Sequence, residues 1–123
     1  MELSTKLYLV TDDGQKFMGA GVLWLLENVG ETGSLLAASE KMGMSYTKAR
    51  GMLENLEKEL GRTMVDRKKG GAMRSGATLT PFAKKYISLY REFQDNAKAA
   101  AEKCFESFQR AALALMEEED GEQ

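Results

Sequence analysis

From Pro81 to Met116 the chain contains nothing that ends a helix. Thr80-Pro81 reads as a start, with proline at the first helical position, where its missing N–H leaves no bond unmade. No further proline follows, and the next glycine is Gly121. A run of roughly 36 residues, at 1.5 Å rise each, would be about 54 Å long. Along it, apolar or small side chains recur at Tyr86, Tyr90, Phe93, Ala97, Ala100, Cys104, Phe108, Ala111 and Leu115. The steps are mostly alternating fours and threes, a heptad-like seam with one stutter. A helix this long cannot bury its seam against one small domain, so the pattern predicts pairing with a second copy of the chain. The alternative is a helix broken in two that packs back on its own domain.

The second organising stretch is Ser34 to Gly61, SLLAASEKMGMSYTKARGMLENLEKELG. Ser34 suits the N-cap of a short helix and Gly43 its stop, after which Ser45 caps a longer helix ending at Gly61. Leu35, Leu36, Ala37 and Ala38 are small or apolar and suit close packing. Ala49, Leu53, Leu56 and Leu60 fall on one face of the longer helix. The opposite face carries Thr47, Arg50, Gly51 and Glu54, and the first turn offers Tyr46, Thr47 and Lys48. Two helices joined by a tight turn, the second presenting its polar N-terminal end, have the layout of a helix-turn-helix that enters a major groove.

Met64 and Val65 then suit a short strand, and Ala77 to Thr80 its return. Between them Lys68-Lys69-Gly70-Gly71-Ala72-Met73-Arg74-Ser75-Gly76 is a basic, glycine-rich loop. Such a loop cannot pack a core, but it can lie along a phosphate backbone or dip into a minor groove. It can equally be a solvated loop that binds nothing; the helix beside it favours the first reading.

The run LLAASEKMGMSYTKARGMLENLEKELGRTMVDR resembles the winged helix-turn-helix of LysR-type transcriptional regulators. GQKFMGAG, ETGSLLAA, and RKKGG followed by ATLTPFAKKYISLY extend the resemblance to the DNA-binding domain of the molybdate-responsive ModE family. Together these stretches cover most of Gln15 to Tyr90. The resemblance implies a mainly α fold with small β parts: a winged helix-turn-helix and a long C-terminal helix that takes part in dimerisation. It places DNA contacts on the start of helix 45–60 and on the wing, residues 67–76. ModE-type regulators usually carry a molybdate-binding domain after this part. Here the sequence ends within about one helix of the wing, so that domain is missing from the expectation and an oxyanion effector such as molybdate is left without a receptor.

Charge distribution fits this better than net charge does. The chain carries −2 overall. From Lys41 to Lys85, however, eleven basic side chains face four acidic ones, while acid gathers in the tail after Met116. Local field, not global charge, governs attraction to phosphate. Phosphate contacts are expected from Ser45, Lys48, Arg62, Arg67, Lys68, Lys69 and Arg74, helped by the amides of the helix start. Base reading is expected from Tyr46, Thr47 and Arg50: Thr47 can meet a thymine methyl and Arg50 can chelate a guanine. Arg50 can alternatively pair with Glu54 four residues on.

Enzyme chemistry has little to work with. The chain has no histidine, so the commonest general base and metal ligand is absent. The single Cys104 lacks a histidine partner and reads as a small hydrophobe on the helix seam. No phosphate-binding glycine loop is present, and Gly19-Ala20-Gly21 lacks the spacing of a dinucleotide fingerprint. No catalytic residue, metal or cofactor is therefore expected. One cysteine and a polar N-terminus lead to the expectation of a cytoplasmic protein.

Before all this, Leu3 to Met18 reads as a β-hairpin turning at Asp13-Gly14. It would cover a helix or extend a dimer surface. Val22 to Val29 reads as the first helix, with Trp24 off its apolar face and Gly30 to Gly33 as a loop. The expected segments are a hairpin at 1–18, a winged helix-turn-helix at 19–80, the long helix at 81–116 and an acidic tail at 117–123. A second reading stays open: an interaction module that binds a partner coiled coil through the long helix, without DNA.

Overall fold

The computed structural model describes residues 1–67 and 76–121. The elements follow as β1 (Tyr8–Val10), β2 (Lys16–Gly19), α1 (Ala20–Thr32), α2 (Leu35–Lys41), α3 (Tyr46–Leu60), β3 (Val65–Arg67), β4 (Ala77–Leu79) and α4 (Pro81–Gly121). The fold is mainly helical with two small antiparallel hairpins, β1–β2 and β3–β4. Its residues form two compact units. One is Leu7 to Leu89; the other joins Met1–Lys6 to α4 from Tyr90 onward.

The first unit is built around the helix-turn-helix. Leu25, Leu26 and Val29 of α1, Leu35 and Ala38 of α2, and Ala49, Leu53 and Leu56 of α3 are all buried. Both caps expected from the sequence form: the Ser34 hydroxyl accepts the Ala37 N–H and that of Ser45 accepts the Lys48 N–H, each at 3.1 Å. Gly43, between α2 and α3, takes φ +68°, a left-handed conformation in which a side chain would be strained. Gly61 ends α3 in the same region and returns its N–H to the Glu57 carbonyl.

Helix α1 is longer than its sequence suggests, running through Gly30 to Thr32. The reason is tertiary. A Cβ on Gly30 would sit 2.9 Å from Leu79 Cδ1, so this glycine is a packing gap for β4 and not a stop. The stop is Gly33, at φ +70°, whose N–H bonds the Val29 carbonyl. Trp24 is 58% exposed on α1.

The wing root is fastened at four points. β3 and β4 pair in register Val65↔Leu79. The Ala77 N–H donates to the Gly33 carbonyl at 2.8 Å. Glu57, near the end of α3, accepts the backbone N–H of Met64 at 2.7 Å and of Val65 at 3.4 Å. Thr80 completes the join: its hydroxyl donates to the Thr63 carbonyl and accepts the Ala83 N–H, so it caps α4 as the sequence predicts. Met64 and Val65 are buried, and Glu57→Ala would leave their N–H groups without this acceptor. We expect that variant to lose about 1–3 kcal/mol of stability. Urea unfolding measures it, with Glu57→Gln, which keeps a carbonyl acceptor, losing less.

The N-terminal hairpin is shorter than Leu3 to Met18. Pairing begins only at Tyr8 opposite Gly19 and carries an irregularity between Leu9 and Val10. Gly14, at φ +87°, makes the turn. Residues Met1–Lys6 belong instead with α4: the Gln109 side-chain amide donates to the Met1 carbonyl at 3.4 Å. Leu3 and Phe105 line one shallow cavity there with Glu102 and Glu106. Side-chain burial in the segment alternates, with Leu3 and Thr5 half-buried and their neighbours exposed. The segment is thus an extended strap on a helix, which satisfies apolar alternation without a second strand.

Candidate nucleic-acid interface

Helix α3 is anchored by one side and open on the other. Ala49, Leu53 and Leu56 hold it to the core. With 3.6 residues per turn, the ridge farthest from that face is Thr47, Gly51, Glu54 and Lys58, all exposed. Its first turn adds exposed Tyr46 and Lys48 next to the Ser45 cap. The structure therefore brings Ser45, Tyr46, Thr47, Lys48 and Arg50 together at one open helix end. That end also carries unpaired backbone N–H groups and the positive pole of the helix dipole.

Arg50 is the residue for which the sequence left two roles open. Its Nε donates to Glu54 Oε1 at 2.9 Å, and both side chains are more than half exposed. That hydrogen bond, with the charge of Glu54, raises the guanidinium above its usual value. The contact uses Nε, and the terminal nitrogens carry the guanidinium's remaining donors.

Arg62 lies apart from this end. Arg62 bonds the Gly61 carbonyl through Nη1 at 2.9 Å, at the far end of α3. Fifteen residues of helix put that end about 22 Å from the Ser45 cap. Arg67 is exposed at the last position of β3, where the chain enters the wing. Lys68, Lys69 and Arg74 lie outside the described residues. Lys41, which the sequence counted only as local charge, pairs with Glu31 at 2.9 Å.

Gly51 was named in the sequence only as part of the polar face. In the structure it is helical, exposed and within 4 Å of nothing that a Cβ would meet. A glycine inside a helix is about 0.5–1 kcal/mol less favourable than alanine, and no contact among the described residues explains its presence.

On α4 the single seam resolves into two neighbouring stripes. Tyr90 is buried and Ala97 half-buried, on the side shared with half-buried Gln94, Ala101, Phe105 and Gln109. Burial raises the Tyr90 phenol above its usual pKa. Phe93, Ala100, Cys104, Phe108 and Leu115 are exposed, Phe108 by 62% and Leu115 by 58%. Tyr86, half-buried, belongs to the first unit and stacks with Phe82. Steps of three and four drift slowly around a straight helix, which is why one sequence pattern covers both stripes. Among the described residues, no group of histidine, cysteine and carboxylate side chains could hold a metal ion, and no helix is long and apolar enough to cross a membrane.

Comparison with known proteins agrees with this geometry. Residues 22–84 match the family of bacterial regulatory helix-turn-helix proteins, lysR family. The chain is 33% identical over 94 residues to the molybdenum-pterin-binding protein MopB of Rhodobacter capsulatus, covering 76% of this chain and 33% of MopB. It is 32% identical over 92 residues to the molybdenum transport protein ModE of Herbaspirillum seropedicae, covering 75% of this chain and 32% of ModE. The chain thus spans about a third of the length of the curated relatives it matches. Among solved structures, the CbnR DNA-binding domain in complex with DNA aligns with a TM-score of 0.56 at 21% identity, over 70% of this chain and 93% of that one. The BenM DNA-binding domain bound to its benA site 1 DNA aligns at 0.52 and 21% identity, over 69% and 90%. At these identities the likeness to solved structures is one of fold.

Proposed function

Because the chain belongs to the lysR family of bacterial regulatory helix-turn-helix proteins, we propose that it regulates transcription as a cytoplasmic homodimer, without enzymatic activity. In this reading α3 lies in the major groove by its N-terminal end and the wing lies on the backbone or in the minor groove. The observation that carries it is the one open helix end at which Ser45, Tyr46, Thr47, Lys48 and Arg50 meet, on a helix whose other face is locked into the core. Phosphates are held by Lys48, Arg62, Arg67, Lys68, Lys69 and Arg74, bases by Tyr46, Thr47 and Arg50. The second copy pairs along the exposed stripe from Phe93 to Leu115. That surface is left bare on a 41-residue helix, well beyond the usual three or four turns. The relatives' names tie them to molybdenum; a molybdate-type effector is no part of this proposal, which rests on residues 22–84 and their match to the helix-turn-helix family.

The test is fluorescence anisotropy with duplex from upstream of the protein's own gene, against random duplex, across a salt series. Tighter binding to the upstream fragment, with log affinity falling steeply against log salt, is the expected result, and the slope estimates the phosphate contacts. No binding to either duplex at low salt would replace this reading with the interaction module. Within the interface, Arg50→Ala should relax discrimination at one base pair by about 1–3 kcal/mol, whereas Lys68→Ala weakens all duplexes alike and lowers the salt slope by about one. Equal losses on every sequence from both would contradict that division of labour.

A further inference from the structure

Three glycines sit inside the α1 and α3 helices, and two of them have neighbours. Gly30 leaves room for Leu79, and a Cβ on Gly21 would make an ordinary 3.9 Å contact with Met52. Gly51 alone of these stands in open space, on the α3 ridge that points away from the core. Its ridge neighbours Thr47, Glu54 and Lys58 all bear side chains, so Gly51 is a notch one turn above Thr47 and beside Arg50. Glycine is the default where a backbone must come close to something else, and here nothing among the described residues approaches it.

We propose that Gly51 is a specificity-determining residue: its bare backbone sets how deeply α3 enters the major groove, and so whether Thr47 and Arg50 reach base edges. This rests on the DNA-binding reading above. The groove is about 12 Å wide and 8.5 Å deep, and a helix with its side chains is about 10–12 Å across. In so close a fit, a methyl or larger group added at position 51 fills the gap between Thr47 and Glu54 and holds the helix off the groove floor. Phosphate contacts from the long lysine and arginine side chains tolerate such a shift; a bidentate bond to a base does not. The occupant of the notch is thus a base-pair edge of duplex DNA.

The inference predicts effects of opposite sign on stability and on recognition. A duplex enriched by the wild-type protein from a randomised pool serves as specific probe, and a scrambled duplex of the same composition as nonspecific probe. Gly51→Ala should raise the thermal midpoint by roughly 2–6 °C, because alanine is the better helix former. The same variant should bind the enriched duplex about tenfold more weakly or worse, the worth of one lost base contact, and Gly51→Leu more weakly still. Affinity for the scrambled duplex at low salt should stay within about twofold of wild type, since phosphate contacts dominate there. A Gly51→Ala protein that is stabilised and binds the enriched duplex as tightly as wild type would overturn the proposal. A parallel loss on both duplexes would do the same, marking a general defect in place of a lost depth. If the wild-type protein enriches no duplex and binds neither probe, the DNA-binding reading itself fails and takes this inference with it.

Discussion

Replacing Phe93 and Phe108 together with glutamate should turn the protein into a monomer and lower its apparent affinity for a two-half-site duplex by about 10²- to 10⁴-fold. The magnitude comes from linkage. When two helix-turn-helix units are joined, the second half-site is met at the high effective concentration set by the first. Severing the pair removes that advantage without touching a DNA contact. The two phenylalanines are 45% and 62% exposed in the single chain, so the substitution should leave helix content and the thermal transition of the Leu7–Leu89 unit almost unchanged. Sedimentation velocity reads the oligomeric state, and anisotropy on one-half-site and two-half-site duplexes reads the linkage. The one-half-site affinity should be the same for variant and parent. A variant that still sediments as a dimer would move the pairing surface elsewhere.

Leu56→Ala should be the most damaging conservative change in the DNA-reading unit, at about 2–5 kcal/mol. Leu56 is fully buried at the centre of the α3 face that meets the rest of the core. Truncation removes its transfer free energy and leaves a cavity that close-packed neighbours fill poorly. For a domain of this size a loss of ~3 kcal/mol lowers the midpoint by roughly 10 °C or more. Leu60, one turn on and only half-buried, should lose less when changed the same way. Binding measured well below the lowered midpoint should be nearly normal, because Leu56 lies on the face of α3 opposite the exposed Thr47–Lys58 ridge. A large affinity loss in fully folded Leu56→Ala would mean that the core residue also sets the pose of α3.

The parts of the fold governed by local rules were readable from the residues. Serine at 34 and 45 caps because its hydroxyl suits an orphan amide. Gly43 and Gly61 turn because only glycine takes positive φ freely. Thr80-Pro81 starts a helix for the same kind of local reason. The parts decided by partners distant in sequence were not. Gly30 looks like a stop and is a seat for Leu79. Leu3 to Met18 reads as a hairpin, yet Met1–Lys6 belongs with the long helix. On α4 the spacing alone could not tell the stripe carrying Tyr90 from the bare one carrying Phe93 and Phe108, because the two differ only in what lies beside them. In the interface the first-turn cluster and the Arg50–Glu54 alternative were both visible, since i to i+4 spacing is local. The emptiness around Gly51 was not, because it is a property of space.

The strap at the N-terminus fixes an order of events during synthesis. Met1 and Gln109 are 108 residues apart, so the strap must wait until Gln109 has been made before it finds its place. Leu7 to Leu89 has no such debt: it is one continuous stretch, and its helix-turn-helix contacts are close in sequence, the kind that form fast. At about 5–20 residues per second, the interval between completing that stretch and releasing Gln109 lasts on the order of seconds. During it the DNA-reading unit is free to fold while the strap is still unattached and the bare helical stripe does not yet exist. Reading head first and strap second is the order that this threading imposes.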